Sequence, residues 1–573
     1  MSNKGNARPA ARPVATTQAK PSAGAARRAE GFRIPYPAVL LAIIAFALYI
    51  PSLSFGLTEL DDSIFIKDFH TYNEDISNLI VSFQRGLFDA VKDPYYRPLF
   101  LDSMILNYKM SNGGENIFLY HLLNVLFHVV SVVLLYRLLL RLRIGDIKAF
   151  ILSLFFAVLP VLTQDVAWIP GRNDTMLAIF VLAFFMQAIN FSDSGHIRSL
   201  AFSFLFLLLA FFTKETAVFA APAAWVLLWL YGKRPDASRN SIMLYGSWVL
   251  GFIIWFAARK AATVQTTGAE PGQAIGDMLH RLPILLQYLG KIFFPVNLSV
   301  FPMQNDTVYY YGVAALVLLV AFVYLNKQRN WKFIIGGIAI FILLLIPALI
   351  VPRHLNEQIF EHRLYLPMIG ILLILSQTSL LNNKLQPRQL VAISAVVTAA
   401  FAVVTIRHEA NFKDPQTFWA QAVNTSPNSG YASMMLAARL DKDDFERSCA
   451  LFRRAYALNP NEKYINYYYG VMLQKKDSVL ASEPYLLREK KITNFFECDF
   501  YLTRVAVEKK DMQGAIGYLT VYLTKNPQNP QANNNLLLLY MNTNQPDKAR
   551  EQAHHMQQLG MPVPGDALKQ LGI

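Results

Sequence analysis

The chain has 573 residues, of which 54% are hydrophobic and 16% charged, against roughly 25% charged in soluble domains. Net charge is +14, but the basic residues collect at the ends of apolar runs, so the charge reads as membrane topology and lipid headgroup contact, not nucleic-acid binding. Cys449 and Cys498 are the only cysteines; no disulfide framework and no Cys/His metal cluster is written into the chain.

Residues 1–35 hold seven basic residues and one acid, Glu30, among Ala and Pro. This composition cannot build a core and predicts a disordered, basic cytoplasmic tail. It is too polar for a signal peptide, so the first span is expected to act as the signal anchor. Apolar runs of membrane-crossing character follow near 36–56, 117–137, 148–163, 175–191, 199–213, 216–231, 241–259, 309–326, 333–351, 364–381 and 389–406. That makes eleven crossings in a transmembrane domain over 36–408. The stretch 281–300 is broken by Pro283, Gly290, Lys291 and Pro295 and predicts an interfacial or re-entrant helix.

Charge placement supports eleven. With the tail inside, the cytoplasmic loops hold Arg137, Arg141, Arg143 and Lys148, then Arg198, then Lys233, Arg234 and Arg239, then Lys327, Arg329 and Lys332, then Lys384 and Arg388. The large first outer loop, 57–116, carries ten acids and five bases. A twelfth crossing at 281–300 would put Lys327 and Arg329 outside. The segment 199–231 is divided by Lys214-Glu215 into two short helices with an outward tip.

Residues 411–573 change character. Prolines stand at Pro427, Pro460, Pro527 and Pro562, spaced by 33, 67 and 35, and helical runs such as Ala450–Asn459 precede them. A period near 34 with Ala, aromatic and terminal Pro landmarks is the tetratricopeptide pattern. The fold class is therefore all-α: a polytopic membrane helix bundle followed by an extracytoplasmic α-solenoid, which would bind peptides or partners.

This topology brings an unusual set of polar residues to the outer face: Asp61 and Asp62 after the first span, Tyr96-Arg97-Pro98 before the second, Asp165 and Arg172-Asn173-Asp174 between the third and fourth, Lys214-Glu215 after the fifth, and Glu361-His362-Arg363-Leu364-Tyr365 opening the tenth. Ionisable groups at bilayer depth are costly and mark function, although each of these alone fits a cap or a snorkelling end-residue. Transfer of a sugar from a lipid phosphate to a hydroxyl needs a base for the hydroxyl proton and cations for the departing phosphate. The Asp61–Asp62 pair offers the base, mutual repulsion raising the pKa of one member. Arg97, Arg172 and Arg363 offer bidentate phosphate donors, and Lys214 a point charge. Direct displacement with one base inverts the anomeric centre. No nucleotide is required, in keeping with the lack of a Rossmann fingerprint or P-loop.

These residues resemble the transmembrane O-mannosyltransferases that carry C-terminal tetratricopeptide repeats, within the GT-C class. The likeness rests on Leu60-Asp61-Asp62, Tyr96-Arg97-Pro98-Leu99, the run His121-Leu122-Leu123-Asn124-Val125-Leu126-Phe127-His128, Val166–Asp174, Thr213-Lys214-Glu215 and Glu361–Pro367, in that order relative to the spans. It implies a polyprenyl- or dolichyl-phosphate-mannose donor, Ser/Thr hydroxyls of proteins as acceptors gathered by the repeats, no cofactor or obligatory metal, and Asp61 as the catalytic acid after the first span with Asp62 beside it. One stretch departs. Where the family usually reads His-Pro-x-His-Thr-Glu-Ala-Val-Ala, this chain has Leu159–Ala167 with neither histidine, and the acid is displaced by one position to Asp165. His121 and His128, seven residues apart on one span, share a face and are as well explained by packing. Two alternatives stand beside the protein-directed transferase: an enzyme of the same class acting on a lipid or surface glycan, and a membrane scaffold whose repeats recruit partners. The composition fits a bacterial inner membrane, with the endoplasmic reticulum as the alternative.

Overall fold

Apolar, uncharged runs become helices because in hydrocarbon each backbone N–H and C=O must be paired within its own segment. The computed structural model describes residues 1, 5, 32–88, 94–233, 238–263, 271–350, 358–383 and 385–573. Residues 1–35 separate as a unit of their own; the disorder expected there falls almost wholly outside the described residues, as do Arg234 and Lys384. From Tyr36 onward the described residues are helices and connections with no β-strand, and one isolated bridge joins Met303 and Gln358.

Among the described residues, six helices are long and apolar enough to cross a bilayer: Pro37–Ser54, Ile117–Arg141, Ile169–Ser194, Arg239–Ala262, Trp331–Ile350 and Pro387–Phe412. The protein is an integral, multi-pass membrane protein. The third expected crossing is a pair, Asp146–Val158 and Pro160–Ala167, bent by 53°; the break falls at Pro160, which lacks the N–H to continue the ladder. Three apolar helices are shorter: Ile197–Thr213, Glu215–Tyr231 and Tyr310–Leu325. The expected crossing at 364–381 contains only Met368–Leu375, eight residues and all buried. Its backbone presses on the neighbouring span: a Cβ on Gly337 would stand 2.6 Å from the Gly370 carbonyl oxygen, a contact only glycine permits. The 281–300 stretch holds Ile284–Phe293, ten residues or about 15 Å, half of a bilayer core of about 30 Å.

The loop 57–116, expected on the outer face, holds helices in its described part. A single-turn π-helix, Ile64–Asp68, follows the carboxylate pair, and a thirteen-residue helix, Pro98–Met110, with eight buried residues, begins one residue after Arg97. Proline suits that first turn because its missing N–H would be unpaired there anyway.

The C-terminal region is a succession of helices, each packed on the next from Pro415–Thr425 to Gly565–Leu571. Alternate helices begin at Gly430, Ile465, Glu497 and Pro530, a spacing compatible with a 34-residue repeat. The landmark prolines each fall just past a helix end. In the double interval between Pro460 and Pro527 the helix Val479–Thr493 stops instead at Asn494, which takes the left-handed conformation (φ 53), as helix-ending Asn does. Cys449 and Cys498 are buried and unpaired.

Candidate active site

A polar latch organises the ends of several spans. The break between Pro160–Ala167 and Arg172–Ser194 leaves backbone carbonyls without helical partners. Asn124, in the middle of Ile117–Arg141, donates through Nδ2 to the carbonyls of Val166 (3.2 Å), Trp168 (3.0 Å) and Ile169 (3.1 Å). Arg172 donates to Asn124 Oδ1 (3.0 Å), Asn107 Oδ1 (2.9 Å), and the carbonyls of Tyr120 (3.0 Å) and Ser103 (3.4 Å). Gly171 lies against the preceding turn so closely that a Cβ would come within 2.9 Å of Asp165 Cα. Trp168, Pro170, Asn173 and Asp174 are thereby held toward one cavity.

That cavity, of about 730 Å³, is lined by Asp61, Arg97, Asn173, Asp174, Lys214, Glu215, Arg259, His362 and Arg363 among its polar side chains. Its apolar wall comes from Val218, Phe219, Trp255, Leu344, Pro347, Ile350 and Leu366, and Phe65, Leu87, Phe88 and Tyr95 of the first loop close another side. Lys214 reaches both oxygens of Asp174 at 2.7 Å. Arg97 reaches Glu215 at 3.0 Å, and Glu215 also accepts the backbone N–H of Tyr96 at 2.6 Å. Arg363 donates to the Gln358 carbonyl at 3.1 Å, and Arg259 to the Pro94 carbonyl at 2.9 Å. Among the described residues neither guanidinium has a carboxylate partner, and Arg259 Nε is buried without a hydrogen bond.

Asp61 is half-buried and its carboxylate makes no hydrogen bond or ion pair among the described residues. Burial, then the neighbouring Asp62 charge, pushes its pKa up to about 6, with Arg97 opposing. His362 stacks on Phe360 (5.2 Å between ring centroids) and lies 3.1 Å from Gln164 Oε1 through Nδ1. Burial, then the charges of Lys214, Arg363 and Arg97, holds it well below the usual histidine range. Three cations from distant parts of the chain thus act on one ring.

Not all expected site residues meet there. Arg172 is fully buried and spends its guanidinium on the latch, so the reading of it as a phosphate ligand has no geometric support. Asp62 is buried beside Asp61 and accepts from Thr58 N (2.6 Å), Thr58 Oγ1 (2.9 Å) and Ser63 N (2.9 Å); it shapes the turn that presents Asp61. Glu361 faces away from the cavity, paired with Lys291 at 2.6 Å and accepting Ser299 N at 3.1 Å. Burial raises its pKa against the pull of Lys291. Asp165 is buried with both oxygens unpartnered among the described residues. Tyr365 lies outside the lining, its hydroxyl 2.7 Å from His128 Nδ1; His121 is buried under Phe55. Both histidines pack within the protein. Arg259 was not singled out from sequence. The available signal was its place at the end of its span that the charge pattern expects to face outward, against the rule that positive residues stay inside.

Helical membrane spans around a pocket that joins, among the described residues, one carboxylate without a partner, several cations and an apolar wall define a class: an integral membrane protein with a charged cavity beside apolar helices. The known proteins it matches are consistent with that class. No family model matches the chain. Protein O-mannosyl-transferase TMTC1 of Mus musculus is 36% identical over 138 residues, 23% of this chain and 14% of the mouse protein. Protein O-mannosyl-transferase Tmtc1 of Drosophila melanogaster is 32% identical over 183 residues, 31% of this chain and 21% of the fly protein. Protein O-mannosyl-transferase TMTC3 of Homo sapiens is 40% identical over 92 residues, 16% of this chain and 10% of the human protein. The chain thus matches between 10% and 21% of the length of these relatives. All carry the name of the family that the sequence motifs resemble.

Proposed function

We propose that this protein is a membrane glycosyltransferase of the GT-C kind. It moves a sugar, mannose by analogy with the relatives' names, from a polyprenyl or dolichyl phosphate to Ser/Thr hydroxyls of extracytoplasmic proteins. The observation that carries the reading is the single cavity that joins Asp61 to Arg97, Lys214, Arg259 and Arg363 beside an apolar wall. The isoprenoid chain lies along Phe219, Trp255, Leu344 and Leu366. The phosphate is held by Arg363 and Arg259, which have no carboxylate to neutralise them among the described residues, with Arg97 and Lys214 adding field from within their ion pairs.

Asp61 takes the proton of the acceptor hydroxyl as its oxygen bonds to the anomeric carbon. The bond from that carbon to the phosphate oxygen breaks, and the lipid phosphate leaves with the electron pair. One displacement inverts the anomeric centre. A base near pH 6 remains ionised at neutral pH while keeping enough basicity to assist attack. A scaffold has no use for this arrangement of charge, whose upkeep at bilayer depth is costly.

The test is direct. Purified full-length protein is given radiolabelled polyprenyl-phosphate mannose and a Ser/Thr-containing peptide. Labelled peptide is expected from the wild type and none from Asp61→Asn. Transfer at the wild-type rate by Asp61→Asn would overturn the assignment of the base, and an inert wild type would overturn the donor and acceptor.

A further inference from the structure

His362 and Gln164, 198 residues apart in the chain, form a pair that the transfer step leaves unused. Gln164 is buried, and its Nε2 donates to the Val300 carbonyl at 3.4 Å, which turns its oxygen toward the His362 ring. That oxygen lies 3.1 Å from His362 Nδ1 and accepts the His362 backbone N–H at 3.5 Å. An amide oxygen only accepts, so Nδ1 carries a proton. The ring stacks on Phe360 and lies against Trp168, 5.9 Å between centroids. These contacts hold it in one orientation.

The other nitrogen, Nε2, makes no hydrogen bond among the described residues, yet it is not one of the buried atoms left without a partner. His362 lines the cavity, so Nε2 opens into it. A ring held by an amide, and not by a carboxylate, has no counter-charge to favour a second proton. Burial, then the charges that face it, Lys214, Arg363 and Arg97, hold it well below the usual histidine range. At neutral pH Nε2 therefore presents a lone pair and not an N–H.

Such an acceptor is out of character with the rest of the lining. Arg97, Lys214, Arg259 and Arg363 can only donate, and Asp174 and Glu215 are already in ion pairs. The Tyr95 and Thr216 hydroxyls also line the cavity, but a hydroxyl turns to donate or accept and selects neither. A fixed, uncharged acceptor among donor-only cations selects a ligand that carries an O–H close to its anionic group. In a lipid-phosphate sugar that part is the sugar ring. The oxygens of the phosphodiester only accept, and the isoprenoid chain has no polar atom.

We propose that His362 reads the sugar of the donor, its Nε2 accepting a hydrogen bond from one sugar hydroxyl, with Gln164 as the positioning residue that fixes the tautomer. The inference rests on the transferase reading above and assigns the specificity that the phosphate-binding cations do not supply. No bond to His362 forms or breaks during transfer.

The test reads binding without turnover. Full-length protein in lipid nanodiscs, with no acceptor peptide, is titrated with polyprenyl-phosphate mannose. The comparison lipids are analogues in which one mannose hydroxyl at a time is replaced by hydrogen or by fluorine, so the phosphodiester charge is constant. In the wild type, one position is expected to weaken binding by roughly threefold to tenfold when deoxygenated, the effect of a single neutral hydrogen bond. Fluorine there is expected to be no better than hydrogen, because it cannot donate. His362→Phe keeps an aromatic ring without the acceptor and is expected to bind the parent lipid as weakly as that deoxy analogue, with no further loss at the same position. Wild-type binding indifferent to every replacement, recovery with fluorine, or a full deoxy penalty in His362→Phe would overturn the inference. The wild-type titrations decide it even where His362→Phe fails to fold. In Gln164→Glu the carboxylate favours the imidazolium, so the advantage of mannose over the deoxy lipid is expected to fade from about pH 8 to about pH 6 while the wild-type advantage holds; an unfading advantage would remove Gln164 from the positioning role. A wild type that binds none of these lipids would overturn the donor of the transferase reading itself, and this inference with it.

Discussion

Lys214 holds both carboxylate oxygens of Asp174 at 2.7 Å, and the two side chains are only 9% and 11% exposed. The pair joins the tip of the 199–231 hairpin to the first turn of Arg172–Ser194 at the cavity wall. Lys214→Ala would leave a buried carboxylate without its partner, a loss of roughly 3–5 kcal/mol in comparable pairs. The double variant Lys214→Ala with Asp174→Asn is expected to be more stable than Lys214→Ala alone. Thermal unfolding in detergent of the three variants checks this; a double variant no better than the single would show that the pair is not coupled.

The raised pKa of Asp61 ties activity and stability to one pH window. Its folded value is about 6 against an ordinary 3.8, so transfer is expected to fall as pH drops below about 6. The folded state binds this proton more tightly than the unfolded state. The stability from this group is therefore present below pH 3.8 and is lost as pH rises through about 6. Arg97 opposes the shift, so Arg97→Gln is expected to move the acid limb of the kcat profile to higher pH. A limb that stays in place would remove Asp61, or Arg97's hold on it, from the account.

Arg172 and Asn124 are expected to behave as parts of one latch. Either alanine variant leaves buried acceptors or carbonyls unpaired, at roughly 1–3 kcal/mol for each group. Arg172→Lys is expected to fail as a rescue, since one ammonium cannot serve four acceptors set in a fork geometry. In whatever fraction remains folded, the donor KM should match the wild type. A large rise in donor KM in a stable Arg172→Ala protein would restore Arg172 to the phosphate site.

Arg259→Ala and Arg363→Ala are expected to do the reverse. Each removes a charged hydrogen-bond donor facing the cavity, worth roughly 1.5–3 kcal/mol, so donor KM should rise by about tenfold to a hundredfold. Peptide binding and melting temperature should change little. Equal donor saturation in variant and wild type, measured with polyprenyl-phosphate mannose, would take these guanidinium groups out of the phosphate site.

Much was legible from the residues in order. Apolar runs must be helical in a bilayer, so each expected crossing contains a helix, and Asp61, Arg97, Lys214 and Arg363 stood out because acids and bases recur together on one expected face of the membrane. Proline spacing located the C-terminal helices, and Asn494 ends a helix where a proline was missing. Partnership is another matter, because it depends on what comes near and sequence separation hides it. Arg172 carries the same charge as Arg363, yet Asn124 and Asn107, 48 and 65 residues away, consume its donors, while Arg259 lines the cavity from a span end where only the expected topology marks a positive residue as unusual. Local chemistry determined which side chains carry charge and which segments form apolar helices. Only the packing of distant helices decided which of those charges are already neutralised and which face the cavity, because desolvation and hydrogen bonding act across space and not along the chain.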